Sequence, residues 1–299
     1  MTMNRRGLLI AATTMMTVPA LTATFARGAK AAPGWPARLA PAFTLLEKES
    51  QGRLGIYVLD TGDGAASGLR AGERFPMCST FKMVLAACIL ARVDQGKERL
   101  DRRLPVAKTD LVAHAPVVEP RVGGTISIGE LCEGTMIWSD NAAANLLLAT
   151  FGGPPAMTAF ARSIGDTTFR LDRIETMMSQ SKPGDPRDTT SPQAMAQTLH
   201  RLALGDALSP QSRAQLVAWL KDNRTGNTRI RAGLPKDWVV GDKTGTGGHG
   251  TNNDVAIIWP KGGRAPLIVS TYLTESKLPG PRQDAILASV GAEVAKALA

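Results

Sequence analysis

Two serines of this chain stand three residues before a lysine, an arrangement in which a serine can act as a nucleophile and the lysine as its base. The first pair is Ser79 and Lys82, in "CSTFKMVLAACILA", and the second is Ser179 and Lys182, in "SQSKPGDPRD". About one such pair is expected by chance in a chain of this composition. The spacing therefore does not identify a catalytic serine, and the setting of each pair has to decide.

The two pairs differ in the structure that is predicted around them. Ser79 is predicted to open a long helix with the body "MVLAACILA", which is apolar on all sides and typical of a buried helix. Lys82 lies on the same face as Ser79, and burial favours a neutral amine, which could accept the serine proton. The second pair lies in a loop with two prolines and a glycine, so we interpret its spacing as chance.

Other nucleophiles and metal sites find little support. The chain has three histidines and no G-x-S-x-G, H-E-x-x-H or C-x-x-C pattern, so neither a histidine base nor a zinc site is predicted. The three cysteines permit at most one disulfide, and Cys88 with Cys132 is one possible pair. Cys78, beside Ser79, is interpreted as a small buried apolar side chain rather than as a nucleophile.

Two tripeptides later in the sequence add to the evidence for the first serine and lysine pair. "SDN", from Ser139 to Asn141, lies at the junction of two predicted helices, and "KTG", from Lys243 to Gly245, lies on a predicted strand. Each alone could be a helix cap or a strand end. In this order, the three motifs together resemble those of the class A β-lactamases.

A fourth segment extends the resemblance. Arg173 and Glu175, followed by "PGDPRD" ending at Asp188, match the family's loop under the active site. In that loop the arginine pairs with the aspartate, and the glutamate lies beside the hydrolytic water. Ser179 stands where most members have an asparagine that shares this water, and Thr176 stands where many have a proline.

The resemblance implies a reaction in two steps. Ser79 would attack the β-lactam carbonyl, and either Lys82 or Glu175, acting through a water, would take its proton. Ser139 would relay a proton to the leaving nitrogen, and Glu175 would activate the water that frees Ser79. The backbone N–H groups of Ser79 and Thr246 would stabilise the oxyanion.

Other residues are assigned to substrate binding by the same resemblance. Asn141 would hold the side-chain amide of the substrate. Lys243, Thr244 and Arg229 would receive its carboxylate. His114 stands where the family usually has an aromatic gate. No cofactor and no metal are implied.

The presence of Glu175 distinguishes among three classes of protein that share these motifs. A D-alanyl-D-alanine carboxypeptidase or transpeptidase, that is, a penicillin-binding protein, is acylated by β-lactams but has no carboxylate to activate a water. A non-hydrolytic β-lactam sensor retains the pocket and likewise releases the acyl group slowly. We therefore predict a β-lactamase that hydrolyses penicillins and cephalosporins and confers antibiotic resistance, with the other two classes as alternatives.

The elements that must position these residues follow from the pattern along the chain. Two short strands near the start and three after residue 238 predict one five-stranded antiparallel sheet with the terminal helices packed on it. We expect an α/β (α+β) fold of the serine β-lactamase and penicillin-binding-protein type. Residues 32–75 and 222–299 would form one lobe, residues 76–221 an inserted all-helical lobe, and the site would lie in the cleft between them.

The first 31 residues have the layout of a cleaved export signal: Arg5 and Arg6, then an uncharged stretch, then "AKA" ending at Ala31. The paired arginines favour the twin-arginine route and a periplasmic enzyme. Without the signal, 31 basic and 26 acidic residues remain, a net charge of +5 rather than +9. The basic residues are scattered, so a nucleic-acid partner is not predicted. We expect a monomer that acts on small-molecule β-lactams and has no stable membrane association.

Overall fold

A five-stranded antiparallel sheet forms the centre of the fold, which confirms the sheet predicted from the two ends of the chain. The computed structural model describes residues 34–298. The sheet has the order β2-β1-β9-β8-β7, while β3 pairs with β6 and β4 with β5. In chain order the strands are β1 (Arg53–Asp60), β2 (Ala66–Leu69), β3 (Phe75–Pro76), β4 (Arg103–Pro105), β5 (Thr125–Ser127), β6 (Thr189–Thr190), β7 (Val239–Gly247), β8 (Thr251–Trp259) and β9 (Leu267–Thr274).

Helices account for most of the regular secondary structure between β2 and β7 and lie at both described ends of the chain. Serine side chains cap several of them: Ser127 and Glu130 form the capping box that their spacing predicts. Ser191 and Ser209 each cap a helix that begins with proline. The helices are α1 (Trp35–Ser50), α2 (Phe81–Asp94), α3 (Ile128–Ile137), α4 (Asn141–Ala149), α5 (Gly153–Ser163), α6 (Pro192–Ala203), α7 (Pro210–Lys221) and α8 (Gly280–Leu298).

Alternate residues of β9 face two separate apolar cores. Leu267, Val269 and Leu273 pack with residues of α1 and α8 on one face of the sheet. Ile268 and Tyr272 pack with residues of α2 and α6 on the other face. Because both faces of the strand are covered, β9 is a continuous buried run rather than an alternation of apolar and polar residues.

The helix that follows the candidate nucleophile is buried from Phe81 to Ala91, as its apolar sequence predicts. Ser79 itself does not open this helix, which corrects the prediction from sequence. It lies in a short 3₁₀ turn, Cys78–Thr80, in which Cys78 has a φ of +45°. A positive φ does not fit a right-handed helix, so the chain turns sharply before α2 begins.

The predicted export signal, residues 1–31, lies outside the described residues. Among the helices of residues 34–298, none is long and apolar enough to cross a membrane. The division of the chain into lobes at residues 75 and 221 stays a prediction.

Backbone contact between α8 and the turn Ile230–Gly233 leads to a stability prediction. A Cβ at Gly291 would lie only 2.4 Å from the carbonyl oxygen of Ile230, which is part of the backbone. Gly291→Ala should therefore lower the free energy of unfolding, although alanine favours a helix interior by about 1 kcal/mol over glycine. Gly280→Ala, in open space at the start of α8, is the control. Urea unfolding measures both, and an equal or higher midpoint for Gly291→Ala would contradict the prediction.

Candidate active site

The side chain of Lys82 lies within hydrogen-bond distance of Ser79. Its Nζ is 3.0 Å from Ser79 Oγ and 3.1 Å from Glu175 Oε1. It also donates to the Ser139 carbonyl at 2.8 Å and to Asn141 Oδ1 at 2.5 Å. Burial lowers the pKa of Lys82, and the Glu175 carboxylate opposes that shift. The amine is therefore next to the serine hydroxyl and more easily deprotonated than an exposed lysine.

Glu175 is brought to Ser79 by the acid loop, a name used here for residues 172–188. Ser79 Oγ donates to Glu175 Oε1 at 3.3 Å, and Ser179 Oγ donates to Glu175 Oε2 at 3.0 Å. The side-chain amide of Asn145, on α4, donates to the Glu175 carbonyl and accepts from the Glu175 N–H. The peptide bond from Glu175 to Thr176 is cis. The carboxylate is thus held between two serine hydroxyls.

The pair between Arg173 and Asp188 that the resemblance implies is present at the base of the acid loop. Arg173 Nε lies 2.6 Å from Asp188 Oδ2. The other carboxylate oxygen of Asp188 accepts the N–H groups of Asp172 and Arg173 at 2.7 and 2.9 Å. Asp188 is completely buried. These contacts hold the two ends of the acid loop together.

The "SDN" corner joins α3 to α4 and presents the side chains of Ser139 and Asn141 to the site. Asp140 accepts from the N–H groups of Val117, Val118 and Ala143, which fixes the corner. Ser139 has a φ of +58°, and its Oγ accepts from Lys243 Nζ at 3.1 Å. This hydroxyl also lies 3.4 Å from the amine of Lys82.

Strand β7 forms the opposite wall. A Cβ at Gly245 would lie 2.7 Å from the Met77 carbonyl and 3.2 Å from the Ser79 nitrogen. Strand β7 therefore lies directly against the 3₁₀ turn Cys78–Thr80, which we call the nucleophile turn after the role predicted for Ser79. Lys243 is completely buried. Its pKa lies well below the ordinary value, first because of burial and second because of the nearby Lys82. The two buried lysines approach Ser139 from its two sides.

Arg229 supports the far end of β7. Its guanidinium donates to the Gly245 carbonyl at 3.1 Å and to Thr246 Oγ1 at 2.7 Å. Asp284, on α8, accepts from Arg229 Nε at 2.9 Å and from Asn252 Nδ2 at 2.7 Å. The arginine is therefore held in place by a carboxylate from the C-terminal helix.

Most of these side chains line one cavity of about 390 Å³. His114 lies at its exposed side, where a ring nitrogen is 2.8 Å from the Trp138 carbonyl. Lys82 and Lys243 are buried beneath it, in contact with Ser79 and Ser139. The lining residues are Ser79, His114, Ser139, Asn141, Glu175, Thr176, Ser179, Thr225, Arg229, Thr244, Gly245 and Thr246. Every site residue predicted from the sequence thus lines the cavity or contacts a residue that does.

The proteins to which this chain is similar in sequence and in fold include members of one enzyme family. A model of the beta-lactamase enzyme family matches residues 38–298. Beta-lactamase Toho-1 of Escherichia coli is 52% identical over 244 residues, which cover 82% of this chain and 84% of that protein. Beta-lactamase L2 of Stenotrophomonas maltophilia is 49% identical over 249 residues, or 83% and 82% of the two chains. The structure of an ancestral (GNCA) class A β-lactamase superposes with a TM-score of 0.86 at 60% identity, covering 87% of this chain and 99% of that one.

The chain belongs to the class A β-lactamases. Its fold and its enzyme class agree with the resemblance inferred from "SxxK", "SDN" and "KTG". The second serine and lysine pair of this β-lactamase, Ser179 and Lys182, does not act as a pair. Ser179 contacts Glu175, whereas Lys182 belongs to a separate surface cavity behind the acid loop.

Sequence reasoning missed several residues of this β-lactamase that orient the site. Asn145 follows Asn141 by four residues on α4, a helical spacing that could have pointed to it. Asp284 and Thr225 had no such signal, because their partners Arg229 and Thr244 are distant in sequence.

The cysteines of the β-lactamase are all buried and free, so the possible disulfide between Cys88 and Cys132 is not formed. No group of three or more metal-ligating side chains occurs among the residues that the structure describes.

The buried contact between Arg173 and Asp188 leads to a prediction for the acid loop. Asp188→Ala removes the carboxylate that Arg173 and two N–H groups need, so the variant should lose about 3 kcal/mol of unfolding free energy. Asp101→Ala, which breaks an exposed pair with Arg99, is the control and should leave stability unchanged. Denaturant unfolding measures both. Equal midpoints for Asp188→Ala and the wild type would refute the stabilising role of the pair.

Proposed function

We propose that this β-lactamase opens the β-lactam ring of penicillins and cephalosporins through an ester on Ser79. The observation that carries the proposal is the position of the Ser79 hydroxyl, 3.0 Å from the Lys82 amine and 3.3 Å from the Glu175 carboxylate. One partner can accept the serine proton, and the other can serve a water that attacks the ester.

In the first step, Ser79 Oγ adds to the ring carbonyl while its proton passes to a base. Lys82 is in direct contact and has a lowered pKa, so it can take this proton itself. Glu175 can take it through a water. The C–N bond of the ring then breaks, and the nitrogen needs a proton, for which Ser139 lies between the amines of Lys82 and Lys243.

Substrate orientation in this proposal comes from β7 and the "SDN" corner. Thr244 and Thr246 line the cavity beside Arg229, a set of hydroxyls and one cation suited to the substrate carboxylate. Asn141 lies at the other side, where its amide can hold the substrate side chain, and His114 borders the entrance. Lys243 lies beneath these residues, where its amine donates to Ser139 Oγ and to the Thr244 carbonyl.

In the second step, a water adds to the ester carbon while Glu175 takes its proton, and Ser79 leaves with a proton restored to its oxygen. Ser179 Oγ donates to the Glu175 carboxylate, which supports a place for this water beside the two side chains, within reach of both. A penicillin-binding protein or a sensor lacks a carboxylate in this role. The contact of Glu175 with Ser79 therefore favours rapid hydrolysis over slow release.

We further propose that the enzyme is exported to the periplasm by the twin-arginine route and acts there as a monomer. Arg5 and Arg6, the uncharged stretch after them and the "AKA" site support export.

A chromogenic cephalosporin tests the proposed reaction. The wild type should convert many substrate molecules per enzyme, whereas Ser79→Ala should show neither turnover nor a covalent adduct by intact-protein mass spectrometry. Ser212→Ala, which changes a buried serine of α7 remote from the cavity, is the matched control and should retain turnover. A stoichiometric burst of the wild type with no further turnover would instead indicate a penicillin-binding protein or a sensor.

Removal of the Glu175 carboxylate tests the second step. Glu175→Ala should still be acylated, but the covalent intermediate should persist, with deacylation slowed about 100-fold to 10000-fold. Time-resolved mass spectrometry of the adduct measures this, with Glu133→Ala, an exposed acid of α3, as the control. If Glu175→Ala were not acylated at all, Lys82 would not suffice as the base of the first step, and Glu175 would be needed in both steps.

A further inference from the structure

The acid loop, the nucleophile turn and β7 meet at a buried point outside the substrate cavity. Cys78 Sγ lies 3.2 Å from Ser181 Oγ, and Ser181 Oγ donates to the Ser179 carbonyl at 3.3 Å. Cys78 is fully buried, and Ser181 is 4% exposed. We call this chain of contacts the clasp: the thiol of Cys78, the hydroxyl of Ser181 and the carbonyl of Ser179.

The hydrogen bonds of the clasp have a definite direction. Burial raises the pKa of the Cys78 thiol to about 12, so the sulfur keeps its proton at neutral pH. The S–H group can then donate to Ser181 Oγ, and the Ser181 hydroxyl donates to the Ser179 carbonyl. That carbonyl also accepts the N–H of Gly248 at 2.9 Å. The Ser181 hydroxyl, which the Cys78 thiol contacts, and the Gly248 N–H from the end of β7 thus converge on one backbone group of the acid loop.

The end of β7 leaves no room at the clasp. A Cβ at Gly247 would lie 2.6 Å from each of three atoms: Cys78 Sγ, the Ser179 carbonyl oxygen and Ser181 Oγ. Contacts this close fix the three segments against one another. The separation between the acid loop and the nucleophile turn is therefore set here by hydrogen bonds and backbone packing.

The clasp lies next to the two side chains that take part in the proposed second step, Ser79 and Glu175. Ser79 follows Cys78 directly in the chain. Ser179, whose carbonyl is clasped, donates its hydroxyl to Glu175 Oε2. At its base the acid loop is held by Arg173 and Asp188, and Asn145 holds the Glu175 backbone. The clasp is a further anchor, on the other side of Glu175 in the chain.

We propose that Cys78 and Ser181 are positioning residues for hydrolysis of the ester on Ser79. The clasp holds the Ser179 hydroxyl and the Glu175 carboxylate at the distance from Ser79 that the attacking water requires. Neither Cys78 nor Ser181 lines the substrate cavity, so their effect acts through Ser179. The inference rests on the proposed role of Glu175 in the second step.

Ser181→Ala tests the clasp by separating the two chemical steps. Rapid-quench mass spectrometry should find deacylation slowed about fivefold to tenfold, the effect of one lost hydrogen bond, with acylation within about twofold of the wild type. Ser212→Ala is the matched control, because Ser212 is also 4% exposed and donates to a distant carboxylate, Asp94. It should change neither rate. Equal slowing of both steps by Ser181→Ala, or deacylation within twofold of the wild type, would overturn the proposal.

A second pair of variants decides the question even if Ser181→Ala does not fold. Cys78→Ser retains a donor toward Ser181, whereas Cys78→Ala removes it. The alanine variant should slow deacylation, and the serine variant should restore it to near the wild-type rate. Equal deacylation rates for the two variants would overturn the role of the Cys78 donor.

The Glu175→Ala background distinguishes this inference from the function on which it rests. If the clasp acts through Ser179 and Glu175, Ser181→Ala should cause no further loss of deacylation once Glu175 is absent. A further loss as large as in the wild-type background would contradict the proposed route. Failure of the proposed function itself would look different, because the wild type would then fail to release its acyl group.

Discussion

A buried contact between the Lys82 amine and the Glu175 carboxylate, 3.1 Å apart, is the interaction on which the rest of the active site depends. Both side chains are at most 1% exposed. Moving such ions out of water is costly, and removing one partner leaves the other charge unpaired in the core. The acid loop therefore has to close over α2 before either group is stable in its place. The same two groups to which we assign the proton transfers also hold the loop against the helix.

Burial and pairing act in opposite directions on the proton of Lys82. Burial lowers its pKa and favours the neutral amine, while Glu175 favours the charged form. Burial also lowers the pKa of Lys243, and the nearby Lys82 adds to that shift. Because Ser139 Oγ is 3.4 Å from the Lys82 amine and 3.1 Å from the Lys243 amine, the proton relay that we propose for Ser139 would not have to pass through bulk water. A site of this kind needs walls that exclude solvent, which β7 and the "SDN" corner supply.

The sequence predicted the parts of this structure that local patterns encode. The apolar run after Lys82 indicated a buried helix, Ser127 with Glu130 indicated a helix start, and the apolar runs after residue 238 indicated strands of the sheet. These signals depend only on neighbours within a few residues. The family resemblance added the distant residues of the site, including the partnership of Arg173 with Asp188.

Contacts between distant segments could not be predicted in the same way. Nothing near Asp284 indicates that it holds Arg229, and nothing near Ser181 points to Cys78. Cys78 was interpreted as an apolar side chain, yet its sulfur has a hydrogen-bond partner. Its positive φ also moves Ser79 into a turn ahead of α2, a detail that helical periodicity cannot reveal.

The pairing of β1 with β9 ties together the two ends of the chain, with Arg53 opposite Thr274 and Asp60 opposite Leu267. Such non-local pairing slows folding, because a long loop must close before its contacts form. At synthesis rates of about 5–20 residues per second, β1 waits roughly 10 to 40 seconds for its partner. During that interval β1 and β2 can form only a lone hairpin, which is marginal in water. The site can therefore form only after β9 has been synthesised, and a product truncated before β7 would contain Ser79 and Lys82 without the strand that lies against the nucleophile turn.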